Sequence, residues 1–161
     1  MSAIALFIKV PVFAIDGLRE AAVVKKRRFA PAKDTYWQYL REYGSDAAHY
    51  NWSGYAFNPL LVYLEEKRKI DLNQSEYDEL AQFLSKARHC SHAVLTRAHR
   101  QAYLTRLDPA QYSEEDLRRY SDEFTGRPDP EAGKALLDGV AALHQSLRQL
   151  EEGFIVLFII G

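Results

Sequence analysis

The chain of 161 residues reads as a helix-rich α+β protein, a single globular domain over residues 1–161 with a small sheet that pairs its N-terminal and C-terminal strands. Three observations lead there. The chain ends on FIVLFII (Phe154–Ile160), a run without a polar side-chain atom, followed only by Gly161. It opens on a segment of like character, AIALFIKV (Ala3–Val10). Between the two, apolar residues recur largely at spacings of three and four, interrupted by residues that start and stop helices.

The terminal run is too short to cross a bilayer as a helix, which takes about 20 residues. Phe, Ile and Val favour strands, and a strand covered on both faces reads as an unbroken apolar run. Its backbone N–H and C=O groups need partners, and Ala3–Val10 is the other segment of matching character. The two ends are therefore expected side by side in one sheet, with Gly153 ending the helix that precedes the last strand.

The intervening elements follow from their boundaries. Asp16 is expected to cap a helix over about residues 17–26, with the cations of KKRR (Lys25–Arg28) at its C-terminus. Asp34 caps TYWQYLREY, and Gly44 stops it. Residues 45–57 read as a loop in which SGYAF offers a short edge strand. Asn58-Pro59 starts a helix that runs to about Lys69, with Pro at its first position. Asn73 with Glu76 and Ser75 with Asp78 are overlapping caps. After them Leu80, Leu84, Ala87, Ser91, Leu95, Ala98 and Ala102 share one face, so one long core helix is expected to about Leu107, ended by Asp108-Pro109. Ser113 and Asp116 cap EEDLRRYSDEF, closed by Gly126. Asp129-Pro130 opens the last helix, with Leu136, Leu137, Val140, Leu143, Leu147 and Leu150 on its buried side.

Composition excludes some functions. Lys plus Arg (21) balances Asp plus Glu (22), and a net charge of -1 sets up no global field for a nucleic acid or an anionic membrane. Any such contact needs a local patch. The lone cysteine, Cys90, rules out an internal disulfide framework. The opening has no basic region before its apolar run, and Lys9 and Pro11 interrupt it, so a cytoplasmic protein is expected.

Candidate chemistry is sparse. His89, Cys90, His92 and His99 fall within eleven residues. On one continuous helix His92 and His99 would sit about 10.5 Å apart along the axis, too far for a single zinc ion. His89 and His92 supply only two ligands, so no metal and no other cofactor is assigned. Cys90 lacks a neighbouring group that would activate a thiolate. Lys25–Arg28, Arg97, Arg100 and Arg106 read as solvated cations. No catalytic motif is present, and no catalytic residue is assigned. The richest stretch is residues 35–63, which holds both tryptophans and six of the ten tyrosines. Tyr36, Trp37, Tyr39, Tyr43, Tyr50, Trp52 and Tyr55 from it suit a protein interface or a ligand pocket; the third reading makes Trp37, Leu40 and Phe57 core, with the tyrosines covering its edge.

MSAIALFIKV followed by a helix, and a long last helix running into GFIVLFIIG, resemble the opening and closing of the small bacterial YfbM-like family, whose members have a helix-rich α+β fold and no established activity. The resemblance covers about 30 residues at the termini. It implies a fold class and carries over no functional residue.

A compact, motif-poor chain with one aromatic-rich stretch is expected to be a non-enzymatic protein-binding module of the bacterial immunity or adaptor kind. Its partner would be another protein, such as a toxin, with Glu42 and Asp46 at the polar rim and neither nucleic acid nor membrane as a ligand. A homodimer is an alternative assembly. The competing reading is a small-ligand-binding protein or enzyme that joins the aromatic region to the His92/His99 helix.

Overall fold

In a computed structural model, which describes residues 3–161, the two ends of the chain do lie side by side. Met1 and Ser2, the first two letters of the opening quoted above, lie outside the described residues. Strand β1 (Ala5–Pro11) pairs antiparallel with strand β4 (Phe154–Ile160) along its whole length, from Ala5 opposite Ile160 to Pro11 opposite Phe154. Bonds between Ile4 and Gly161, and from Val12 N to Gly153 O, extend the ladder beyond both ends. Strand β2 (Ser45–Ala48) adds to the free side of β1, and strand β3 (Ser91–Leu95) to the free side of β4. The sheet is antiparallel throughout, in the order β2-β1-β4-β3.

Helices cover both faces. Helices α1 (Ile15–Ala22), α2 (Tyr36–Tyr43) and α4 (Asp78–Arg88) pack on one side, against Val10, Val94, Ile155, Leu157 and Ile159. Helices α3 (Phe57–Arg68), α6 (Glu114–Thr125) and α7 (Ala132–Arg148) pack on the other, against Phe7, Leu95, Val156 and Phe158. Successive strand residues point to opposite faces, so β4 needs apolar side chains at every position. Residues 155–159 are all buried. This is why the last strand carries no polar residue. No helix among the described residues is long and apolar enough to cross a membrane.

Several boundaries fall where their chemistry directs, but Asp16 lies inside the first turn of α1 and not at its cap, and Gly153 sits at positive φ in the turn before β4, beyond the end of α7 at Arg148. Asp34 Oδ1 accepts from Tyr36 N at 3.1 Å, and Gly44 ends α2. Ser113 Oγ accepts from Asp116 N, and Gly126 closes α6 at φ 68. Asp129 Oδ1 accepts from Glu131 N just before α7.

The long helix expected over residues 80–107 is instead three elements: α4, the edge strand β3, and helix α5 (Arg97–Tyr103). Helix α4 ends without a glycine, on His89 held in the left-handed region at φ 56. Thr96 then caps α5. The Thr96 hydroxyl accepts from His99 N, and His99 Nδ1 accepts from Thr96 N. Histidine here takes the place of the Glu or Gln usual in such a reciprocal cap. What overrides the helical periodicity is the open side of β4, whose backbone groups need a second partner. The edge strand expected at SGYAF is likewise a 3-10 turn (Gly54–Ala56), and the edge strand proper is β2. Helix α1 stops at Ala22, so Lys25–Arg28 lie in an exposed loop and not at a helix end.

Candidate functional site

The fold divides the aromatic stretch across the sheet. Tyr36 is core, fully buried under α2. Tyr39 is half-buried, and its hydroxyl donates to Ala14 O at 2.8 Å. Trp37 and Tyr43, also on α2, are exposed. Tyr50, Trp52 and Tyr55 follow β2 and lie on the opposite side, against α7. The seven side chains therefore form no single patch, and Glu42 and Asp46 border the α2 group only.

Tyr50, Trp52 and Tyr55 are held in place by short-range chemistry. Ser53 Oγ caps the 3-10 turn by accepting from Tyr55 N. Gly54 N donates to Ala3 O at 2.8 Å. A Cβ on Gly54 would meet the Ile4 backbone at 3.1 Å, so a side chain there would push the loop back from the start of the sheet by a few tenths of an ångström. Trp52 Nε1 donates to Asp138 Oδ2 at 2.8 Å, and Tyr50 Oη donates to Ala135 O at 3.0 Å. Burial pushes the Tyr50 phenol well above its ordinary range, and the Asp138 carboxylate adds to that shift.

The result is a groove of ≈ 270 Å³ between the loop and the α6–α7 pair. Trp52 and Tyr55 form one wall, Pro59, Ala132 and Leu136 are its apolar part, and Asp129 and Glu131 stand at its edge. Tyr55 is 51% exposed although it borders this apolar surface. An amphipathic ring poised over an apolar groove with carboxylates beside it suits an incoming side chain that is apolar along its length and cationic or polar at its end.

The histidines do not share a helix. His92 lies on β3 and His99 on α5, so a spacing measured along one helix axis does not apply to them. His92 does meet the aromatic stretch: its Nε2 lies 2.7 Å from Tyr36 Oη. Its Nδ1 sits 3.1 Å from Cys90 O and 3.8 Å from Cys90 Sγ. Arg88 closes this cluster, its guanidinium over the Tyr36 ring at 4.7 Å and paired with Asp34 at 2.7 Å. Arg88 Nε has no hydrogen-bond partner among the described residues, and the ring face supplies part of what it lacks. Burial lowers the His92 pKa and the nearby Arg88 charge lowers it further, against the opposing effect of the Cys90 carbonyl. Burial raises the Cys90 thiol. Both groups are thus biased to their neutral forms, the reverse of an activated thiolate–imidazolium pair. The cluster is a packed, hydrogen-bonded part of the core.

His99 stands apart, its Nε2 2.7 Å from Gln74 O and its pKa lowered chiefly by burial. It borders a shallow cavity of ≈ 400 Å³ with Asp71, Glu76 and Tyr103. A joint site of His92, His99 and the whole aromatic stretch does not form. Among the described residues no group of three or more His, Cys, Asp or Glu side chains is placed to hold a metal ion.

Sequence reasoning missed the groove carboxylates Asp129 and Glu131, and Asp138, which holds Trp52 in place without lining the groove. Asp138 interrupts the apolar face of α7 beside Leu137, a local signal, but its tryptophan partner is 86 residues away and only the fold joins them.

No protein-family model, curated protein or solved structure matches this chain.

Proposed function

We propose that this protein is a non-enzymatic protein-binding module, of the adaptor or immunity kind, whose contact surface centres on the Trp52–Tyr55 groove. The observation that carries the reading is the pairing of an exposed Tyr55 and a half-buried Trp52 with an apolar groove edged by Asp129 and Glu131. Tryptophan and tyrosine in such settings dominate binding energy at protein interfaces, provided that water is excluded around them. The carboxylates select the partner. It presents an apolar anchor beside a lysine or arginine, and a partner with an acidic face is repelled. A secreted or intracellular toxin with a basic recognition face has this chemistry.

The test is affinity capture from the native host with three baits: the wild type, Trp52→Ala/Tyr55→Ala, and Trp37→Ala/Tyr43→Ala. The wild type and the Trp37/Tyr43 variant should enrich the same protein, and the Trp52/Tyr55 variant should lose it. Equal recovery by all three folded baits would reject the groove as the contact surface.

A further inference from the structure

We infer that the loop between α1 and α2 is a docking finger for an anionic phospholipid surface. Residues 23–34 are exposed without exception. Lys25, Lys26, Arg27, Arg28 and Lys33 place five cations in nine residues, with no carboxylate among them. The net charge of -1 over the whole chain conceals this local concentration. Between the two groups of cations runs Phe29-Ala30-Pro31-Ala32, apolar throughout, with Phe29 96% exposed at its head.

The finger is built, not slack. Arg88 donates from Nη1 to Ala22 O at 3.3 Å, at the root of the outgoing strand, and holds Asp34 with both terminal nitrogens at the root of the returning one. Lys25 and Lys33 exchange backbone hydrogen bonds at 3.0 and 3.1 Å, which makes the base a short antiparallel bridge. An otherwise solvated apolar tip is thereby held away from the body of the protein. Lys25, Arg27 and Lys33 also line a groove of ≈ 370 Å³ with Thr35, Tyr39 and one carboxylate, Glu20, so that three cations face a single opposing charge there.

An apolar tip inside a basic collar matches the layering of a bilayer surface. Cations sit at anionic headgroups, and the ring and small apolar residues enter the acyl boundary. A single-stranded nucleic acid would use the cations and the ring but not the Ala-Pro-Ala segment, which offers nothing to a base or a phosphate.

Vesicle co-sedimentation of the full chain tests this. The probes are phosphatidylcholine vesicles with and without about 30% phosphatidylserine, and a single-stranded oligonucleotide is run in parallel at equal salt. The wild type should pellet with the serine-containing vesicles only. Arg27→Gln/Arg28→Gln should lower partitioning about 25-fold, roughly fivefold per cation. Phe29→Ala should lower it about tenfold while leaving the salt dependence unchanged. Circular dichroism would confirm that these exposed substitutions leave the fold intact. The proposal is overturned by absence of binding, by equal binding to both vesicle types, by insensitivity to the substitutions, or by tighter binding to the oligonucleotide.

Discussion

Replacing Phe158 by alanine tests whether the terminal run is the centre of the core. Phe158 is 2% exposed, stacks on Phe7 at 4.7 Å with the rings 5° from parallel, and meets Phe57 edge-on at 4.8 Å. Truncating a phenylalanine in such a place costs about 3–5 kcal/mol through lost burial and the cavity left behind. Two aromatic contacts add about 1 kcal/mol. A total near 5 kcal/mol is a third or more of the stability of most domains. Phe154 is the internal control. It lies in the same strand but is only half-buried, with Lys9 Nζ 4.9 Å from its ring centre. Phe154→Ala should cost about 1 kcal/mol. Urea unfolding followed by tryptophan fluorescence would give both values, with equal slopes as the sign of an unchanged unfolding reaction. A difference below about 1 kcal/mol between the two variants would refute the two-sided burial of the last strand.

Further outcomes concern the interior and the loop. His92 and His99 have folded-state pKa values below 6.5, chiefly through burial. The unfolded chain thus binds more protons in the window just below that value, so stability is full above about pH 6.5 and falls as pH drops through the folded-state pKa values. Unfolding midpoints between about pH 7.5 and pH 5 should show this fall, and His92→Gln should make it shallower. Asp34→Asn should weaken the Arg88 contact that closes the finger and raise tryptic cleavage at residues 25–28 about fivefold, since a partly exposed pair of this kind is worth about 1 kcal/mol. Unchanged cleavage would show that the bridge between Lys25 and Lys33 suffices. Gly133→Ala should destabilise by about 1–3 kcal/mol in thermal melts, because its Cβ would meet the Glu114 carbonyl oxygen of α6, which has no freedom to move aside.

How much of this was legible from residues alone depended on where the signal was local. The terminal strands announced themselves by composition, α6 by the Ser113 side chain that caps it, and the approaches to α2 and α7 by Asp34 and Asp129, which bind backbone N–H groups from just ahead of the N-cap positions. The segment 78–103 misled because its strand has no local signature. His89 ends α4 where glycine is usual, and Leu84, Ser91 and Leu95 keep a helical spacing across the break. Only the demand of β4 for a second neighbour makes 91–95 extended, and that demand is tertiary. The Thr96–His99 cap was a readable hint of a new helix start. For the site, residue type pointed to Trp52 and Tyr55, but not to their separation from Trp37 and Tyr43. Two faces of a sheet divide those pairs, and the turn leading into α7 brings Asp129 and Glu131 from more than 70 residues away.

The most direct measurement is a calorimetric titration of the captured partner, once purified, against the wild type and Trp52→Ala. Removing the indole, which anchors on Asp138 and walls the groove, should weaken the dissociation constant about 30-fold, equivalent to about 2 kcal/mol. An unaltered constant with a correctly folded variant would mean that recognition takes place elsewhere on the molecule.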